Sequence, residues 1–251
     1  MTHRQTLHNR AILITNGASA LSQALCEQLI KAYKCRVALV SDGRSTVTKQ
    51  RQNESAQLFV CDVTNRQQVA ELAVTLEKHF GPLDMVIHQD CAMRNGNFPE
   101  PEEHYVIHTS NDILAFINLL TIFVPPMLRD GRTGGRFITV KNSPGSAKAF
   151  TDSQPVYNDL VRSIVPSCKA PESIRLSTIF CNGIDHKLTP FGLMLGEHEI
   201  AQRILEGIES ERSIAQVSVR RSWLEFCSIS AIQLAAVALE KLQLGGSENS
   251  Y

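Results

Sequence analysis

His104 and His108 stand four residues apart, a spacing that sets two imidazoles on one face of a helix and could begin a metal site. No third ligand accompanies them, and solvated or capping histidines explain the pair more simply. Seven cysteines, at 26, 35, 61, 91, 168, 181 and 227, include no CxxC pair, so neither a zinc site nor a disulfide framework follows from them. Cys91 and Cys181 fall at the ends of apolar runs, where a reactive thiol could sit. No sequence neighbour would activate either one, and the plainer reading is a small buried hydrophobe. The expectation is no metal and a reducing, cytoplasmic setting.

The elements that must position any chemistry alternate regularly. Of the 251 residues, 43% are hydrophobic and 20% charged, enough for a sizeable core. Twenty-five basic residues balance 25 acidic ones, so no net field favours nucleic acid or an acidic membrane. The first apolar run, 11–15, is too short for a signal peptide, and no stretch approaches the roughly 18 apolar residues of a membrane span. Short apolar runs at 11–15, 36–41, 57–61, 83–88, 136–140, 174–180 and 215–219 read as strands. Helical patterns lie between and after them, at 21–33, 65–80, 112–128, 197–209 and 222–242. In the second helix Val69, Leu72, Leu76 and Phe80 share one face, and Thr64 stands where an N-cap would. Near-continuous apolar strands alternating with helices predict an α/β domain, a doubly wound parallel sheet of Rossmann type spanning 1–251 as one unit. The helix at 222–242 carries Trp223, Phe226, Leu234 and Val237 on one stripe, suited to internal packing or to a partner.

Motifs sit in order on this framework. Thr15-Asn16-Gly17-Ala18-Ser19-Ala20-Leu21-Ser22 follows the first strand, and Cys61-Asp62-Val63-Thr64 follows the third. Gly81-Pro82-Leu83-Asp84-Met85-Val86-Ile87 forms the fourth, and Asn111 precedes Leu119-Leu120 and Pro126-Met127. Gly134-Gly135-Arg136-Phe137-Ile138-Thr139-Val140 leads to Tyr157 and then to Ile174-Arg175-Leu176. Over roughly residues 10 to 220 this series resembles the short-chain dehydrogenase/reductase family, with its TGxxxGxG turn, its DVT after strand three, its helix-four asparagine and its catalytic tyrosine. The resemblance implies a Rossmann-type fold, NAD or NADP as cofactor, a carbonyl or alcohol substrate and a homo-oligomer. It assigns Tyr157 as acid/base, Ser143 as donor to the substrate oxygen and Asn111 to a proton relay. It assigns cofactor contacts to Asn16, Gly17, Ser19, Leu21, Asp42, Asp62 and Val63.

The cofactor turn departs from that pattern. Dinucleotide turns use glycine for a tight turn, for close approach to the pyrophosphate and for close helix–strand packing. The corresponding positions hold Asn16, Ala20 and Ser22. Asn16 is the mildest change, because Asn enters the left-handed region readily; the Ala20 methyl would project toward the phosphates, and Ser22 adds a side chain where helix meets sheet. Asp42 could accept a ribose hydroxyl and favour NAD, or bond its own turn; Arg44 leaves NADP open. Asp62 would hold adenine, or sit as an acidic neighbour of a helix N-terminus. The family's NNAG reads His88-Gln89-Asp90-Cys91, with no match.

The catalytic set departs too. YxxxK reads Tyr157-Asn158-Asp159-Leu160-Val161, so valine replaces the lysine. Lowering a phenol from near 10 to about 7 takes roughly 4 kcal/mol, none of which Val161 supplies. Lys141 or Lys148 could fold in from the loop after strand five, while Arg162 would point elsewhere on a helix. The paired serines of the family fall on Lys141 and Asn142, with Ser143 adjacent. Sixteen residues separate Tyr157 from Ile174, and Pro166 interrupts them, so the helix carrying the lysine is cut short.

Two readings stand at this point. One is a family member with impaired or lost dehydrogenase activity, a pseudoenzyme kept for binding, regulation or assembly, holding no cofactor or holding it weakly. The other is a divergent NAD(P)-dependent oxidoreductase. The partner would be a small molecule or a protein, not nucleic acid or membrane.

Overall fold

In a computed structural model, the described residues are 7–43, 55–89, 102–127, 135–143, 174–182, 195–210 and 214–218. Among these residues seven strands form one sheet: β1 (Ala11–Ile14), β2 (Arg36–Ser41), β3 (Ala56–Val60), β4 (Met85–Gln89), β5 (Gly135–Ser143), β6 (Ile174–Asn182) and β7 (Ile214–Ser218). Their order is β3-β2-β1-β4-β5-β6-β7, and every neighbouring pair is parallel. Among the described residues, four helices cover the sheet: α1 (Ala20–Tyr33), α2 (Arg66–Phe80), α3 (Glu102–Met127) and α4 (Glu197–Glu209). The strand order runs outward from β1 in one direction and from β4 in the other, so the topology turns between them. In such sheets that junction, at the strands' C-terminal ends, is where ligands bind.

Strand alternation divides the core into two layers. Ile12, Ile14, Val37, Leu39, Met85, Ile87, Ile138 and Val140 pack with α1 and α4. Leu13, Ala38, Val40, Val86 and Phe137 pack with α2 and α3. Both faces are apolar, which is why the strands read as continuous apolar runs rather than alternating ones. Helix α2 buries Val69, Leu72, Leu76 and Phe80, the face its sequence period defines. Its N-cap is Asn65 rather than Thr64: the Asn65 side chain accepts from the backbone N–H groups of Gln67 and Gln68. In α4 the Glu199 carboxylate reaches back to accept from the Gly196 N–H at 3.1 Å.

Helix α3 and strands β5 and β6 run two or more residues beyond their sequence expectation. Helix α3 begins at Glu102, ten residues before the apolar stripe that defines it, because its first turns hold one short run, Tyr105-Val106-Ile107, between polar residues and so carry no helical period. Strand β5 continues through Lys141, Asn142 and Ser143, which lie opposite Phe180, Cys181 and Asn182 of β6. Polar residues end the apolar run, but not the ladder. Within α3, Ser110–Met127 is long and apolar enough to cross a membrane by length and composition, against the expectation of no such stretch. Here it buries Phe116, Leu119, Leu120 and Phe123 against the sheet. The helix expected at 222–242 lies outside the described residues.

Candidate functional site

The turn between β1 and α1 is shaped by close packing. Asn16 adopts φ +53°, the left-handed conformation a first glycine would otherwise supply. Gly17 donates its N–H to the Val40 carbonyl at 2.7 Å. A Cβ on Gly17 would lie 2.9 Å from Leu39 Cβ and 3.0 Å from Val40 N, so the neighbouring strand alone demands this glycine. Ser19 caps α1, its hydroxyl accepting from the Ser22 N–H at 3.0 Å. Ala20 is exposed, Leu21 is buried, and the first turn of α1 carries no acidic residue.

Side chains knit this turn to the end of β4. Ser22, wholly buried, donates to the Thr15 carbonyl at 3.0 Å and lies in close contact with Gln89 Oε1. It has one proton, which serves one acceptor at a time. Ser19 Oγ donates to the same Gln89 oxygen at 3.1 Å. Thr15 Oγ1 accepts from the Gln89 N–H at 2.9 Å and lies 3.1 Å from His88 Nδ1. Two of the four residues that break the NNAG pattern, His88 and Gln89, are therefore bonded to the turn itself, and Ser22 is accommodated as a hydrogen-bonding group where a third glycine would leave a bare contact.

Beside this knot lie two buried polar atoms without a hydrogen-bond partner, Asn16 Nδ2 and Ser41 Oγ. Ile14 and Leu39 are partners across β1 and β2, and Asn16 and Ser41 each come two residues later. Both orphans therefore lie at the C-terminal ends of adjacent strands, Asn16 in the turn after β1 and Ser41 at the end of β2. Asp42 follows Ser41, half-buried, before Gly43 at φ +76°. Asp62 is engaged locally: its Oδ1 accepts from Thr64 N at 3.0 Å and from Thr64 Oγ1 at 2.7 Å. The Val63 carbonyl accepts from Asn118 Nδ2 at 3.1 Å. Asn16, Gly17 and Ser19 lie in the turn after β1, Leu21 packs into the core from α1, Asp42 follows β2, and Asp62 and Val63 follow β3.

The catalytic candidates fall on α3, on β5 and outside the described residues. Asn111 is exposed on α3, and it is the adjoining Asp112 that is buried. Ser143 ends β5, opposite Asn182. Tyr157, Val161 and Lys148 lie outside the described residues. Lys141 belongs to β5 rather than to a loop, and it is buried. Sequence reading missed Asp112, Gln89 and Asn118, whose roles depend on which way α3 and β4 face. Burial raises the thiols of Cys26 and Cys181 to about 12 and of Cys61 to about 11, with Glu27 adding at Cys26 and Asp62 at Cys61. Inert core cysteines are what those shifts describe.

A family model for short chain dehydrogenases matches residues 10–158. The chain belongs to the short-chain dehydrogenase family. No curated protein matches the sequence. Among solved structures, a putative short-chain dehydrogenase from Novosphingobium aromaticivorans aligns with TM-score 0.64 and 17% identity over 95% of this chain and 96% of that one. A short chain dehydrogenase from Burkholderia cenocepacia J2315, in complex with NADP, aligns with TM-score 0.64 and 14% identity over 98% and 99%. One from Leptospira borgpetersenii serovar Hardjo-bovis, with bound NAD+, aligns with TM-score 0.63 and 14% identity over 88% and 94%. At these identities the likeness is one of fold.

Within the family, a nicotinamide cofactor would supply the hydride donor or acceptor. The residues present fit its adenosine and phosphate end, on the strength of the orphaned Asn16 Nδ2 and Ser41 Oγ beside a helix N-terminus free of acidic residues. Farther along the sheet, Lys141 of β5, Asp112 of α3 and His88 of β4 are buried polar residues.

Proposed function

We propose that this short-chain dehydrogenase-fold protein has impaired or lost dehydrogenase activity and is retained for binding, regulation or assembly, a pseudoenzyme of the cytoplasm. The observation that carries this reading is Lys141. The family's paired serines would donate to a substrate oxygen; here the strand offers a lysine that is 9% exposed. Val161 in place of the YxxxK lysine and the exposed Asn111 support it further. Ser19, Ser22 and Gln89 also bond one another at the turn, so a bound pyrophosphate would have to compete with them. The partner is a small molecule or a protein, and self-association through the family's helices is part of the same reading.

Titrating the purified protein with NADH and NADPH by fluorescence and calorimetry tests this. Affinity in the millimolar range or none is expected, with no turnover of carbonyl or alcohol substrates. A second reading, a divergent NAD(P)-dependent oxidoreductase using Tyr157, Ser143 and Asn111, is favoured by the orphaned Asn16 Nδ2 and Ser41 Oγ, which preserve a nucleotide end. Micromolar affinity together with activity that disappears in Tyr157→Phe would establish it instead.

A further inference from the structure

Gln89 ends β4 on the side that faces α1. Met85 and Ile87 belong to the core layer packed against α1 and α4, and alternation along the strand sets Gln89 on the same face. Its backbone is held apart from its side chain. Thr15 donates its N–H to the Ile87 carbonyl at 3.0 Å, and Gln89 donates its own N–H to Thr15 Oγ1 at 2.9 Å. From there the Gln89 amide oxygen reaches the first turn of α1.

The hydroxyl protons at that turn can be counted. Ser19 Oγ accepts from the Ser22 N–H at 3.0 Å and donates its single proton to Gln89 Oε1 at 3.1 Å. Ser22 also has one proton, within reach of the Thr15 carbonyl at 3.0 Å and of the same Gln89 oxygen. Gln89 is 2% exposed and Ser22 wholly buried, so water competes poorly for these bonds. Ser19, by contrast, is half-buried and is the N-cap of α1, whose first turn carries no acidic residue. A hydroxyl at such a helix end is placed to donate to a phosphate oxygen. Here a neutral amide oxygen of the same chain takes that proton.

We infer that Gln89 is a built-in competitor for the phosphate end of the cofactor turn. Its amide oxygen holds the Ser19 hydroxyl inward, and this contact, together with Ala20, sets how weakly a nucleotide binds. The inference deepens the reading of an impaired cofactor site and rests on it. Removing the amide oxygen strands neither serine: Ser22 keeps the Thr15 carbonyl, and Ser19 turns to water or to a ligand.

Calorimetric titration of wild type, Gln89→Ala and Gln89→Leu with NADH tests it. Leucine is close to glutamine in size and has no acceptor, so it releases the Ser19 proton without opening space. Both variants are expected to bind NADH about tenfold more tightly than wild type and to melt within a few degrees of it. No gain in either variant would overturn the inference. So would a gain in Gln89→Ala alone, because room rather than the hydroxyl would then be limiting. Failure of both variants to fold would overturn it as well, since the serines would then depend on the amide. Micromolar affinity in wild type would count against the impaired-site reading, whereas the ratio of Gln89→Leu to wild type judges Gln89 by itself.

Discussion

Asn118, in the middle of α3, sends both protons of its amide into the loop after β3, to the Val63 carbonyl at 3.1 Å and the Thr64 carbonyl at 2.9 Å. It is 2% exposed, so these bonds form away from water and tie the helix to the segment that bears Asp62 and Val63. Asn118→Leu would leave two carbonyls unpaired at about 1–3 kcal/mol of stability. Urea unfolding of the variant measures this, and a midpoint unchanged from wild type would mean the strap is dispensable.

Gly17→Ala is expected to destabilise without touching any catalytic group. The added methyl would meet Leu39 Cβ at 2.9 Å and the backbone nitrogen of Val40 at 3.0 Å, and backbone cannot rotate aside. Overpacking of this kind costs about 1–3 kcal/mol. A Tm equal to that of wild type would place the turn farther from β2 than it is.

Ala20→Gly separates the phosphate end of the site from its stability. Ala20 is exposed at the first position of α1, so its methyl supports no core contact. Removing it should strengthen NADH and NADPH binding about tenfold, near 1.4 kcal/mol, by letting the pyrophosphate approach the helix amides. Calorimetric titration of the two proteins side by side is the measurement, and equal affinities would show that the methyl is not the obstacle.

Alkaline stability should follow the buried thiols. The folded-state values of Cys26 and Cys181 are raised to about 12 and that of Cys61 to about 11, from an ordinary value of 9.0. The folded protein therefore holds these protons more tightly than the unfolded chain. Their contribution is intact below pH 9 and is lost as pH rises from there through 11 and 12. Urea midpoints at about pH 8 and about pH 10.5, in wild type and Cys26→Ala, resolve it from lysine and tyrosine titration. The drop should be smaller in the variant, and an identical drop would deny Cys26 any part in it.

The seven strands were legible because burial on both faces of a parallel sheet leaves little room for polar residues. β2 matches its apolar run residue for residue, and the others differ only at their ends. Legibility failed where a polar residue sits inside regular structure. Lys141 reads as the start of a loop, yet its backbone continues the ladder with Phe180. Residues 102–111 of α3 carry no apolar stripe, so only hydrogen bonding and geometry extend the helix through them.

What the chain alone determined is the alternation of elements, the family and the identity of the altered positions: Asn16, Ala20, Ser22, the stretch from His88 to Cys91, and Val161. Those follow from local period and from order along the sequence. Only the tertiary structure decided that Asp112 rather than Asn111 turns inward, that Gln89 reaches the cap of α1, and that Lys141 is buried within β5. Each of these depends on helix rotation and strand parity relative to partners 20 or more residues away in sequence. Such long-range contacts are fixed by packing, and packing is written in no single segment.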